Sequence, residues 1–212
     1  MMMRRTTVLI GADERVCAHG LAWLLEGHAF NVLGTAPDGR QLVDAARRTK
    51  PDVVLVDESM SGLSAWEVLQ AFAAESVKTR LIMLAKHNDS AAAIEALRAG
   101  AAAFLLQDSI GQELIHAIRV VAQGHVYIAA AVSDAVMERM GTIDDGSLEL
   151  TARQREVVLL ALKGRSLHEI ALELNLTTRA VETHKHEILR TLGVQSSAGL
   201  IRRAVEHRPR LH

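Results

Sequence analysis

The chain holds a single cysteine, Cys17, among its 212 residues, so no internal disulfide can form. Cys17 sits in an apolar helical stretch and reads as a small hydrophobe rather than a reactive thiol. Aromatic residues make up only 3% of the chain, so the core must be built from Ala, Val, Leu and Ile, as in layered α/β or helical domains. No run approaches the ~18–20 apolar residues of a membrane span, and the N-terminus lacks the apolar region of a signal peptide. A soluble, cytoplasmic protein with no membrane partner is the expectation. There is no low-complexity tract beyond alanine-rich helices. Nor is there a strong net charge, although the formal value of −1 hides an asymmetry. From Leu148 to His212 there are 11 Lys and Arg against 7 Asp and Glu, while the preceding part is acidic. A basic C-terminal part fits a polyanion partner and an acidic N-terminal part does not.

What the chain does have is alternation. Thr7–Ala12, Asn31–Thr35, Val53–Asp57, Leu81–Ala85 and Ala103–Leu106 are short apolar runs that predict strands covered on both faces. Between them helical patterns run over Arg15–Glu26, Arg40–Thr49, Ser64–Glu75, Ser90–Ala99 and Gln112–Gln123. Five such repeats predict an open parallel sheet with right-handed crossovers, whose chemistry gathers at the carboxyl ends of the strands. Ala12, Asp13, Asp57, Ala85 and Gln107 fall there. Gly124 should stop the fifth helix. Val132–Met140 reads as a further helix and residues 141–147, small, polar and bracketed by glycine, as a linker. The remainder reads as wholly helical, with capping-box patterns at Thr151/Gln154 and Ser166/Glu169, a tight turn at Asn175-Leu176 and Thr177 as the next cap. The expected division is 1–125, a linker over 126–147, and 148–212.

From Thr178 onward, Val181, Ile188, Leu189 and Leu192 recur on one side of a helix. Arg179, Glu182, Thr183, Lys185, His186 and Arg190 occupy the other. Such a helix can press one face on a small core and offer the other to a DNA groove. The pattern Leu150-Thr151-x-Arg153-x-x-Glu156-Val157, Gly164-x-Ser166-x-x-Glu169-Ile170-Ala171-x-x-Leu174, Val181-x-x-His184-x-x-x-Ile188-x-x-x-Leu192-Gly193-Val194 resembles the LuxR-type helix-turn-helix over about 50 residues in both spacing and residue type. The resemblance implies that the helix carrying Val181 enters the major groove, with Arg179, Glu182, Thr183 and His186 at base edges or nearby phosphates. Lys185 and Arg190 would take phosphates, and Thr177 and Thr178 would open the helix where free N–H groups and the dipole favour a phosphate. Glu182 stands where many relatives have lysine; a carboxylate can accept from cytosine N4, or it is a solvated partner of Arg179 or His186. His184 reads as a packing residue. His184 and His186 point apart at i, i+2 and make a poor metal pair. Ser197–His207 matches the segment through which such domains pair, which implies a homodimer reading half-sites about 10 bp apart, although its Ala198, Leu200, Ile201, Ala204 and Val205 could equally cover the domain's own core.

The first 125 residues resemble the receiver domain of two-component response regulators, and the whole chain the NarL/FixJ group. The features that carry this are Asp57 at the end of the third strand, Met60 and Gly62 after it, the Gly100–Leu106 segment, and Val126-Tyr127-Ile128 followed by Val132, which matches the linker helix. The resemblance implies a (βα)5 doubly wound, flavodoxin-like receiver followed by a four-helix helix-turn-helix domain, α/β then all-α. Asp57 takes the phosphoacceptor position and Phe104 the aromatic switch position.

Several working parts of a receiver are missing, however. The acidic pair reads Ala12-Asp13, Ala85 stands at the Thr/Ser position, and Gln107 at the lysine position. A phosphoryl group needs a metal held by clustered carboxylates, a cation and a hydroxyl. Only Asp13 and Asp57 survive, so any Mg²⁺ binding there is expected to be weak, and no metal or cofactor is expected. The reading is a sequence-specific transcriptional regulator of double-stranded DNA, not an enzyme, with an atypical receiver that works without phosphorylation. Its control would come through abundance, a small ligand in the vacated crevice, or a protein partner. The rivals are a conventional regulator phosphorylated at Asp57 and an adaptor that binds protein rather than DNA.

Overall fold

A computed structural model describes residues 4–74, 79–129, 150–162, 165–191 and 193–194. The first part alternates β1 (Thr7–Gly11), α1 (Arg15–Gly27), β2 (Asn31–Ala36), α2 (Gly39–Thr49), β3 (Val53–Asp57), α3 (Ala65–Ala74), β4 (Arg80–Ala85), α4 (Ser90–Arg98), β5 (Ala103–Leu106) and α5 (Gln112–Ala122). The strands form one parallel sheet in the order β2-β1-β3-β4-β5, with β6 (Tyr127–Ile128) added at the edge. The order reverses between β1 and β3, which opens a crevice at their carboxyl ends. Burial explains why the strand runs are almost purely aliphatic. All five residues of β3 are buried, as are Leu81–Ala85 of β4. The helices lie against both faces through Leu21 and Leu25, Leu42 and Ala46, Val68 and Leu69, Ile94 and Leu97, and Leu114 and Ile118.

Local chemistry sets the helix starts. Asp38 accepts the Gln41 N–H at 3.0 Å, and Asp89 accepts from Ala91 and Ala92 at 2.8 and 3.1 Å. A Cβ on Gly11, which closes β1, would lie 2.4 Å from Leu42 Cδ2 and 2.7 Å from Met60 Sδ, so both side-chain ends would have to move to admit it. On the outer face of α1, Trp23 is 81% and Val16 85% exposed.

One expectation needs correction. Val126-Tyr127-Ile128 does not begin a linker helix. Tyr127 and Ile128 pair in parallel with Ala103 and Phe104 of β5, and the Tyr127 N–H donates to Ala102 O at 2.9 Å. The Tyr127 hydroxyl lies 3.1 Å from Glu113 Oε1, and burial with the Glu113 charge pushes its pKa up to about 12. Three consecutive apolar residues with an aromatic suit a sheet edge better than a helix start. The sequence-predicted helix over Val132–Met140 and the linker over 141–147 lie outside the described residues.

The C-terminal part contains α6 (Ala152–Leu162), α7 (Leu167–Glu173) and α8 (Thr178–Thr191). Both anticipated capping boxes form. Thr151 and Gln154 exchange bonds of 2.9 and 3.2 Å, as do Ser166 and Glu169 at 2.7 and 3.2 Å. Val157, Val158, Ile170, Ala171, Val181 and Ile188 are buried and make the small core of the three helices. The sequence-predicted last helix, Ser197–His207, lies outside the described residues. Among the described residues no helix is long and apolar enough to cross a membrane.

Candidate nucleic-acid interface and phosphoacceptor crevice

The turn between α7 and α8 fixes where α8 points. Asn175 takes the left-handed conformation at φ +54°, a role open to asparagine at modest cost. The Leu176 N–H reaches back to Ala171 O at 2.8 Å, and Thr177 Oγ1 caps α8 by accepting the Ala180 N–H at 3.2 Å. Arg153 on α6 donates to the Leu174 carbonyl and pairs with Glu156 at 2.6 Å, which ties the first turn of α6 to this corner.

With the corner set, α8 divides as its sequence pattern requires. Val181 and Ile188 are buried against the helical core. Thr177, Thr178, Arg179, Glu182, Thr183, His186 and Arg190 are all exposed. The Thr183 hydroxyl donates back to Arg179 O at 3.0 Å. His184 is half-buried, with Nδ1 3.8 Å from Glu187 Oε2, beyond hydrogen-bond reach. Lys185 departs from the exposed position given to it by the helical pattern. It is half-buried, and its Nζ lies 3.5 Å from Nδ1 of His125, just beyond α5. Burial pushes the Lys185 ammonium down from its ordinary range, and the Glu182 charge opposes this. Burial, then the positive charges of Lys185 and Arg80, push His125 down as well. Helical periodicity carries no signal for this contact, because the two residues are 60 positions apart.

At the carboxyl ends of the strands, Asp57 closes β3 and is 4% exposed. Its Oδ1 accepts both the Ser59 N–H at 2.8 Å and the Ser59 hydroxyl at 2.7 Å. Ala12 and Ala85 are buried beyond β1 and at the end of β4, and Asp13 is exposed. Gln107 follows β5 in a 3-10 turn, and its Nε2 is buried with no acceptor among the described residues. An amide there can donate a hydrogen bond but carries no charge. Phe104 is 2% exposed within β5, between Met83 of β4 and Ile128 of β6 in register. Nearby Cys17 is half-buried. Burial, then the charges of Asp57, Glu14 and Asp13, push its thiol pKa up, against a weaker opposing pull from Lys86. A thiol so placed is a poor nucleophile.

Comparison with known proteins places these features in a family. Residues 8–119 match the response regulator receiver domain, and residues 148–204 match the luxR family of bacterial regulatory proteins. The transcriptional regulatory protein MctR of Rhizobium johnstonii is 35% identical over 201 residues, covering 94% of this chain and 93% of that protein. The receiver domain of NarL from Mycobacterium tuberculosis superposes with a TM-score of 0.55 at 31% identity, over 57% of this chain and 99% of that one. RcsB of Salmonella typhimurium superposes with a TM-score of 0.59 at 22% identity, over 94% of this chain and 97% of that one, a likeness of fold.

Proposed function

The chain belongs to the response regulators whose receiver is followed by a luxR-family DNA-binding domain, and from that premise we propose that it is a sequence-specific transcriptional regulator controlled without phosphorylation. It acts in the cytoplasm as a homodimer on double-stranded DNA, with α8 of each copy in a major groove. The observation that carries this is the division of α8: Val181 and Ile188 buried, and Arg179, Glu182, Thr183, His186 and Arg190 exposed on the helix that follows the turn. Base edges are read by such side chains, while Thr177 and Thr178 offer the helix N-terminus to a phosphate.

The receiver side rests on what surrounds Asp57. A dianionic phosphoryl group calls for clustered metal-binding carboxylates and a cationic partner. Ala12 supplies no carboxylate, Ala85 no hydroxyl and Gln107 no charge, and Asp57 Oδ1 already takes both donors of Ser59. This donor set does not fit the Mg²⁺–phosphoryl chemistry of a working receiver, and no catalytic role is assigned to it. Incubation with acetyl phosphate and Mg²⁺ should leave the mass of the protein unchanged. A stoichiometric phosphoryl adduct, abolished by Asp57→Asn, would establish the conventional phospho-activated regulator instead.

A further inference from the structure

Between the two parts of the chain lies a cavity of ≈ 520 Å³. This is within the range of about 300–1,000 Å³ typical of small-molecule sites. One wall comes from α5 and the residues just after it, the other from α6, α7 and α8. Its lining is mainly apolar, with Val120 and Val126 on the first wall and Val158 and Ala161 on the second.

The charges that face this cavity are not balanced. Arg119 comes from the first wall, beside His116 and His125, and Arg165 and Lys185 from the second, beside His168. Glu169 is the one carboxylate among the described lining residues, and it is committed to the Ser166 cap and to Arg165 at 3.7 Å. Arg165 is further paired with Glu173 at 3.0 Å. That leaves Lys185 and Arg119 with no carboxylate in salt-bridge contact among the described residues. Arg119 rests over the Phe30 ring, 5.9 Å from its centroid. Lys185 spends one donor on His125 and keeps two. The His125 ring can accept this bond but brings no negative charge, so the half-buried ammonium still lacks an anionic partner in the cavity. Burial leads the downward pKa shift of each group, and at Lys185 the Glu182 charge opposes it.

We propose that this interdomain cavity binds a small amphipathic carboxylate, its apolar body between α5 and the helical core and its carboxylate between Lys185 and Arg119. Because Thr178, Lys185 and Ile188 of α8 line the cavity, the ligand bridges the DNA-reading helix to the receiver. Occupancy therefore holds Thr178 and Lys185 away from DNA phosphates and weakens DNA binding, and by linkage DNA weakens the ligand to the same degree. The effect on DNA rests on the DNA-binding function proposed above; occupancy of the cavity does not.

Titration calorimetry of the full chain with octanoate tests the first half. Saturable binding is expected, with octanamide weaker by about tenfold or more, since the amide forfeits a hydrogen bond to a charged group. Lys185→Gln and Arg119→Gln should each weaken octanoate by a similar factor. Added octanoate should raise the Kd for a DNA duplex in fluorescence anisotropy. A chain that binds DNA but takes up octanoate no better than octanamide, or equally well in both variants, overturns the proposal. Charge-dependent octanoate binding by a chain that fails to bind DNA would keep the cavity site and remove the DNA-binding reading instead.

Discussion

Replacing Arg190 by Gln should change how DNA binding responds to salt by an amount that can be worked from the helix. α8 carries three cations, Arg179 and Arg190, which are exposed, and Lys185, which must leave His125 to reach a phosphate. Two copies bring six. Each phosphate neutralised contributes about −0.9 to the slope of log K against log salt, so a dimer using all six has a slope near −5. Between 50 and 200 mM salt that slope weakens binding by about a thousandfold. Arg190→Gln removes two contacts per dimer, so the slope should fall by about 2 and the same salt step should cost only about a hundredfold. Cations elsewhere would steepen the parent slope without altering this difference. The assay is fluorescence anisotropy with a duplex recovered by in vitro selection, titrated at several salt concentrations. An unchanged slope in Arg190→Gln removes the residue from the interface. Parent binding that is insensitive to salt refutes the nucleic-acid reading altogether and favours an adaptor acting through protein contacts.

Two further predictions concern stability. Ile188 is 1% exposed in the small helical core, so Ile188→Ala should destabilise that domain by about 2–5 kcal/mol, read by urea unfolding. A loss below about 1 kcal/mol would mean that α8 is not packed as described. Asp52 accepts the Thr7 N–H and hydroxyl, each at 2.8 Å, and pairs with Arg4 at 3.0 Å. Burial raises its pKa, but the Thr7 bonds and then Arg4 outweigh that and hold it below the ordinary value. Its contribution to stability is therefore present above the unfolded pKa, near 4, and is lost as pH falls through the lower folded value. Asp52→Asn should reduce stability at neutral pH and flatten its acid dependence below about pH 4; an unaltered pH profile would refute the assignment.

Most of the α/β framework is legible in the residue order because its cause is local. Runs such as Val53–Val56 are buried on both faces and so need no polar alternation. The helix starts are written in Ser166, Thr151 and Thr177, whose side chains reach only three residues along. The split of α8 was legible for the same reason. β6 was not: two residues are too few to show a period, and its existence depends on the open edge of β5. The half-burial of Lys185 was hidden too, since it arises from His125, across the boundary between the two parts. The same holds for the cavity. Its walls come from segments whose own apolar patterns describe only their separate cores.

Trp23 is already exposed in the fold, so half-buried Trp66 carries most of the change in tryptophan emission on unfolding. Both tryptophans of the chain, Trp23 and Trp66, and its sole tyrosine, Tyr127, lie in the first domain, and none falls within the helices that carry the reading surface. Ultraviolet emission therefore watches the α/β half alone, while far-ultraviolet dichroism sums both halves. Melting curves recorded by the two optical signals on one sample will separate the unfolding of each half, with no dye attached.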